Sequence, residues 1–297
     1  MSVVYVNPFT DFGFKKIFGE EASKPQLMDF LNAILKERGP ITNLTFKNNE
    51  QLGQSIDAKG VIFDIYCENE SGEKFIVELQ KNKQDWFKER TVYYSTFPIQ
   101  EQVEKGTQKY ELKAVYCIGI LDFVFNDYPT EAENNDWYHE IKLKDNLGKV
   151  FYDKLTFIFL EMPNYKKKES ELVSQLDKWI YFIKYLEDFQ NIPEIFKNEV
   201  VFVNAFEKAE LAKLTKAQYD NYQKSIKAYR DLYSVLDTAE NKGKQVGIDI
   251  GIEIGIDIGD KQRQIKMAIN CIKEGMKIDQ IALLTELSLE EIRTLMN

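Results

Sequence analysis

Residues 63–80, FDIYCENESGEKFIVELQ, carry two carboxylates in the apolar middle of two neighbouring runs, Asp64 in the first and Glu78 in the second. Both runs are rich in Phe, Ile, Val and Tyr and flank a polar, Gly-containing turn, a pattern that predicts a β-hairpin. A three-residue loop, Glu70-Ser71-Gly72, puts its glycine where such a hairpin needs a left-handed residue. Asn69 then faces Glu73, and counting outward sets Asp64 directly opposite Glu78. One face is expected to hold Ile62, Asp64, Tyr66, Ile76, Glu78 and Gln80. The other is expected to hold Val61, Phe63, Ile65, Cys67, Phe75, Val77 and Leu79, all apolar. Like charges directly opposed have β-carbons ~4.5–5.5 Å apart and destabilise the strand pair. A divalent cation between the carboxylates would offset that repulsion. The alternative is a polar face turned to solvent, where two acids cost little.

The elements that must position this hairpin can be read on either side of it. NPFTDFGFKKIFGE leads into a helix over KPQLMDFLNAILKER, where Leu27, Phe30, Leu31, Ile34 and Leu35 fall at helical spacing before Gly39-Pro40. ITNLTFKN reads as a strand. After Gln80, the recurrence of Trp86, Phe87, Arg90, Val92, Tyr93, Tyr94 and Phe97 predicts a helix of three turns ending ahead of Pro98, and a further helical stretch to Gly106. KAVYCIGILDFVF is a near-continuous apolar run, as expected of a strand buried on both faces, and WYHEIKL and KLTFIFLEM add two more. Together these make an α/β core over residues 1–164.

Residues 165–242 are helical in pattern. Residues 243–260, GKQVGIDIGIEIGIDIGD, repeat every four residues, with glycine at 243, 247, 251, 255 and 259. A helix there would carry a glycine stripe advancing about 40° per repeat, open to close approach by a partner helix. We expect a helix in an oligomer. Residues 261–297 predict three short helices: a first striped by Ile265, Ile269, Ile272 and Met276, a second capped by Asp279, and a third opened by a Ser288–Glu291 capping box. The layout is helix-turn-helix-like, but the third helix opens with Glu290 and Glu291 and offers only Arg293 as a base. Acids there repel phosphate, which favours a packing or pairing module over DNA readout.

Composition narrows the function classes. The chain has 297 residues and a net charge of −9, so it is not a general nucleic-acid-coating protein, although a local basic groove remains open. Cys67, Cys117 and Cys271 fit neither a disulfide framework nor a CxxC metal site, which suits a reducing cytosol. The start MSVVYVNPFTD has no basic stretch followed by a long apolar one, and no segment is apolar for long enough to span a bilayer. A cytoplasmic location without a membrane partner is the expectation. The one histidine, His139, alternates within WYHEIKL and reads as a strand residue, which leaves no His-based zinc site or Ser-His-Asp triad. Neither a GxGxxG after a strand nor a Walker loop is present.

Asp64, thirteen residues, then Glu78-Leu79-Gln80 resembles the paired acidic motif of the PD-(D/E)XK nuclease superfamily. Within it, the chain resembles the recombination-promoting nuclease and transposase-like family. TDFGFKKIFG at residues 10–19, the following LMDFLNAIL, the glutamine of ELQ in place of the motif lysine, the ERTVYYS helix, and the repeat followed by EGMKIDQIALLTELSLEEI all match. The resemblance implies a PD-(D/E)XK-type mixed sheet and a metal-dependent DNA endonuclease. By that resemblance Asp64 and Glu78 hold Mg²⁺, or Mn²⁺ or Ca²⁺, with the Leu79 carbonyl as a third ligand; two carboxylates suffice because Mg²⁺ keeps several waters. Gln80 can neither carry charge nor accept a proton as a lysine could, so it orients water or contacts phosphate. Lys81 should point to the opposite face. Arg90 and Tyr94, one turn apart, are assigned to phosphate contact or carboxylate positioning, against a packing role. Asp11 and Lys15, also one turn apart, are either substrate contacts or structural, Asp11 then being an N-cap or the partner of Lys15, and Glu50 is a further candidate acid. The competing function is a catalytically weak nuclease fold serving as a DNA-binding or oligomerising regulator.

Overall fold

The computed structural model describes residues 3–36, 38–51, 60–103, 110–125 and 136–296. They form two compact units, Met1–Tyr229 and Arg230–Asn297.

In the first unit Thr10, not Asp11, caps the opening helix α1 (Asp11–Phe14): its Oγ1 accepts from Gly13 N at 3.0 Å and donates to the Asn7 carbonyl at 2.7 Å. The chain then winds into a π-helical turn, Lys15–Gly19, that buries Ile17 and Phe18. Helix α2 (Lys24–Ile34) follows and buries Leu27, Phe30, Leu31 and Ile34, as its spacing requires.

Among the described residues eight strands come next: β1 (Leu44–Phe46), β2 (Glu50–Gln51), β3 (Val61–Ile62), β4 (Ile65–Asn69), β5 (Lys74–Gln80), β6 (Val115–Leu121), β7 (Tyr138–Lys144) and β8 (Val150–Glu161). Six make one mixed sheet in the order β1-β4-β5-β6-β8-β7, and β2 pairs with β3 beside it. The pairs β5–β6 and β6–β8 are parallel, and a parallel step needs a crossover. Between β5 and β6 that crossover carries helix α3 (Phe87–Gln100).

Both faces of the sheet are covered. On one, Ile65, Cys67, Phe75, Val77, Leu79, Ile118 and Ile120 join a core completed by α2 and by helices α4 (Gln175–Tyr185), α5 (Glu194–Lys197) and α6 (Val200–Ala209). Trp179 of α4 anchors it, with ring centroids 5.4 Å from Phe18 and 4.4 Å from Phe202. On the other face Tyr66, Ile76, Cys117, Phe157 and Phe159 pack with Phe87 of α3. The fully buried β6 confirms the two-sided burial its apolar run predicted.

The hairpin turn forms as expected. Gly72 has φ +81°, Asn69 N donates to the Glu73 carbonyl at 3.0 Å, and the register runs to Ile65↔Val77, beyond which Asp64 N reaches Glu78 Oε1. Two expectations need correction. Asp64 lies in a bend between β3 and β4 rather than inside a strand, and Val61 and Phe63 are buried on the α3 side, away from Ile65 and Cys67. The face bearing the acids is therefore no open solvated surface. Helix α3 also runs through Pro98 to Gln100, because the proline ring is buried and that packing outweighs the missing N–H in the last turn.

Helix α7 (Lys216–Lys273) begins in the first unit, where Tyr222 and Ile226 join the core, and its later part belongs to the second. The tetrapeptide repeat is helical throughout. A Cβ at any of its five glycines would meet nothing within 4 Å, and Ile248, Ile250, Ile252, Ile254, Ile256 and Ile258 are all exposed. The first of the three short helices expected in the tail is the end of α7; α8 (Ile278–Thr285) and α9 (Leu289–Met296) are the other two. Ala268, Ile281, Leu287 and Ile292 make their small core. Lys277, not Asp279, occupies the N-cap position of α8 and makes no side-chain capping bond there, whereas Ser288 and Glu291 form the expected capping box ahead of α9. No helix among the described residues is long and apolar enough to cross a membrane.

Gly119 of β6 pairs with Glu78, and a Cβ there would lie 2.9 Å from the Phe159 ring and 3.2 Å from Leu121 Cδ2. Gly119→Ala should therefore lower unfolding free energy by about 1–3 kcal/mol in a denaturant titration. An unchanged midpoint would mean that the Phe159 ring yields freely.

Candidate active site

The bend at Asp64 arises from a conflict in side-chain parity. Strict alternation would put Val61, Phe63, Ile65 and Cys67 on one face, yet the first two are buried on one side of the sheet and the last two on the other. The chain changes parity at Asp64. Asn49 pins both flanks: its carbonyl accepts from Phe63 N at 2.9 Å and its Nδ2 donates to the Asp64 carbonyl at 2.9 Å.

The bend leaves the Leu79 N–H of β5 without a ladder partner, because β4 begins only at Ile65. The Asp64 carboxylate fills that place, Oδ2 accepting from Leu79 N at 2.8 Å. In return Asp64 N donates to Glu78 Oε1 at 3.1 Å. The two acids are thus locked together through each other's strand backbone. Outward from this pair, Gln80 Nε2 donates to Glu78 Oε2 at 3.1 Å, Arg90 Nη2 donates to Gln80 Oε1, and Arg90 Nη1 donates to Gln84 Oε1. The guanidinium sits 5.7 Å from the Phe87 ring centroid and 5.8 Å from that of Tyr94. Beneath Glu78 a cavity of about 20 Å³, room for one water, is lined by Arg90, Tyr94, Cys117 and Gly119.

Burial raises the proton affinity of both acids, and the Asp64 charge raises that of Glu78 further. Glu78 is pushed up to about 8, first by burial and next by Asp64, against the Asp64 N–H, Arg90 and Gln80. Asp64 is also raised by burial, opposed by the Leu79 N–H, Lys15 and Lys81, while Asp11 adds to the rise. Burial, then Glu78, raises the Tyr94 phenol.

Asp64, Glu78, Gln80, Arg90 and Tyr94 are therefore brought together. Lys15 is paired with Asp11 at 2.8 Å on the π-helical turn, and that turn packs on the start of β4, where a Cβ at Gly19 would lie 3.7 Å from Ile65 Cγ1. Lys15 and Asp11 thus stand at the margin and act on Asp64 through charge. Leu79 contributes its N–H. Lys81 leaves the opposite face from Gln80, as expected, with Nζ 5.9 Å from the Tyr229 ring. Glu50 is exposed on β2 and makes no third ligand; among the described residues no three His, Cys, Asp or Glu side chains cluster to hold a metal. His139 is buried in β7, 3.5 Å from Glu161. Sequence reading missed Gln84 and Asn49. Neither carries a spacing signal, because each acts through a loop contact.

A mixed sheet with an aspartate at the bend before β4 locked to the ExQ of the adjacent β5 fits a nuclease core of the PD-(D/E)XK class. The family model for PD-(D/E)XK nuclease family transposases matches residues 8–239, and the chain belongs to that family. Membership suggests a phosphodiester hydrolase and a nuclease- or transposase-related function on DNA. No curated protein and no solved structure matches the chain significantly.

The family typically uses divalent metals, and the donor set here suits one. All the side-chain donors are oxygens, both acids hold their protons abnormally tightly, and a hard divalent ion would relieve the repulsion that raises them.

A pH dependence follows for metal-free protein. Glu78 binds its proton more tightly folded, at about 8, than at its ordinary value of 4.5. Its contribution to stability is complete below 4.5 and is lost as pH rises towards 8. Wild-type melting temperature should fall across that window by several degrees more than that of Glu78→Gln. Parallel curves for the two proteins would contradict the assignment.

Proposed function

We propose that this chain is a divalent-metal-dependent DNA endonuclease whose centre is the Asp64–Glu78 pair. The observation that carries the reading is the reciprocal backbone locking of two half-buried acids, which fixes like charges side by side. A fold with no use for them would not hold them there. Asp64, Glu78 and the Leu79 carbonyl would hold the ion, Mg²⁺, Mn²⁺ or Ca²⁺. When bound it polarises the phosphodiester and lowers the pKa of water at the site. Gln80, held between Glu78 and Arg90, orients that water or a phosphate oxygen through its amide. Arg90 supplies positive charge that glutamine lacks, fixed between two aromatic rings. Lys15 adds charge beside Asp64. Recombination, mobile-element activity or defence would be the setting for such cleavage.

Supercoiled plasmid incubated with Mg²⁺ should be nicked or linearised by wild type and left intact by Asp64→Ala, and by wild type in chelator. Equal cutting by Asp64→Ala would end the assignment and leave the regulatory reading. Arg90→Ala should reduce cleavage about 100- to 1,000-fold, in line with loss of one charge-stabilising donor, with a smaller effect on melting temperature. A large thermal loss at unchanged specific activity would make Arg90 a packing residue.

The repeat helix is proposed to join copies of the chain. Residues four apart fall on one stripe, so two isoleucine stripes flank the glycine stripe, with Asp249, Glu253 and Asp257 opposite. Those isoleucines are 51–59 % exposed, an apolar face uncovered within the chain. Light scattering should report fewer subunits for Ile252→Glu/Ile254→Glu than for wild type; an equal count would refute self-association through this face.

A further inference from the structure

Helix α3 presents an aromatic residue that the hydrolytic chemistry does not use. Trp86, its N-cap residue, is 73 % exposed, whereas Trp137 is half-buried and Trp179 fully buried. It lies one turn before Arg90, whose N–H donates to the Trp86 carbonyl at 2.9 Å and whose side chain reaches Gln80. Tyr93, 39 % exposed, lies seven residues on and so on the same helix face. The largest apolar ring system available to the chain is thus left in water one helical turn from the arginine that reaches Gln80.

Its surroundings are positive in an acidic protein. With Lys81 turned to the other face, residues 82–92 hold Lys83, Lys88 and Arg90 against Asp85 and Glu89, a net +1 from three cations and two acids, where the whole chain is −9. These cations are anchored: Lys83 Nζ donates to the Phe125 carbonyl, and Lys88 Nζ lies 5.4 Å from the Phe125 ring. A fixed cationic rim with an exposed ring beside it matches a phosphate backbone carrying an accessible base face. Duplex DNA offers base edges in its grooves, not faces, so an indole gains nothing from an intact helix. A single strand offers every face.

We propose that Trp86 stacks on an unpaired base next to the phosphate held at the carboxylate pair, so that the preferred substrate is single-stranded DNA. This rests on the nuclease reading of the same site. Tyr93 extends the platform along α3, and Arg90 holds the intervening phosphate.

Binding in EDTA separates this proposal from catalysis. A fluorescein-labelled single-stranded oligonucleotide of about 20 nucleotides, longer than one site, and its duplex are titrated against full-length protein by anisotropy, with intrinsic tryptophan emission recorded alongside. Expected are tighter binding of the single strand, saturable quenching by it, a ~5- to 100-fold loss of single-strand affinity in Trp86→Ala, duplex affinity within about twofold of wild type, and substantial recovery in Trp86→Phe, which keeps a ring. Because the residue is exposed, the melting temperature of both variants should match wild type. Unchanged single-strand affinity in Trp86→Ala, equal losses for both DNA forms, or a wild-type preference for duplex would each overturn the proposal while leaving a DNA-binding nuclease. Binding of neither form would overturn both readings.

Discussion

Two carboxyl groups share one small volume at the end of the central hairpin, and much of the neighbouring structure acts to keep them there. The Asp64 carboxylate takes the Leu79 N–H and the Glu78 carboxylate takes the Asp64 N–H, so neither acid can swing away without leaving a backbone group unpaired. Burial then denies them water. Arg90 and Gln80 soften the repulsion but do not cancel it, since both acids still hold protons more tightly than free carboxylates. A site under this kind of electrostatic load is poised for a cation.

The rest of the first unit can be understood from that requirement. Strands β5 and β6 form the buried centre of the sheet and set the Glu78 backbone rigidly, with Gly119 keeping the space beside it open. The parity change at Asp64 serves two cores at once, sending Val61 and Phe63 towards α3 and Ile65 and Cys67 towards α2. The crossover α3 covers the acid-bearing face and delivers Arg90 to Gln80. The N-terminal π-helical turn brings Lys15 to the other side of Asp64. The aromatic cluster around Trp179 holds the helices that back this arrangement.

Much of this was legible in the residues themselves. Gly72 and the polar turn set the register, and counting outward from the turn brings Asp64 and Glu78 together, as their hydrogen bond shows. Continuous apolar runs announced β6 and the buried half of β8, and helical spacing announced α2 and α3. The bend at Asp64 was not legible, because VIFDIYC alternates plausibly as one strand and the parity change follows from two cores competing for its side chains. Arg90 was placed on the correct helix, but its hold on Gln80 depends on the tertiary approach of α3 to β5, and Gln84 enters only through that approach. The three-residue gap between Thr10 and Gly13 is a capping signal that reading Asp11 as the cap overlooked. In the tail, the four-residue repeat favours helix and the exposed isoleucines bear out an unpaired face, yet nothing in the residues marked Lys261–Lys273 as a continuation of the same helix.

The central claim is that Asp64 and Glu78 repel each other and that a divalent ion relieves them. The most direct test is the melting temperature of wild type and Asp64→Asn, each with and without Mg²⁺ or Mn²⁺. Ligand that binds only the folded state adds ~2.7 kcal/mol at one hundred times its dissociation constant, so wild type should melt higher with metal. Asp64→Asn should lose most of that rise and, without metal and above about pH 8, where Glu78 is ionised as well, melt at or above the wild-type temperature, because one of the two charges is gone. A metal-free Asp64→Asn that melts well below wild type, together with an undiminished response to metal, would contradict the account.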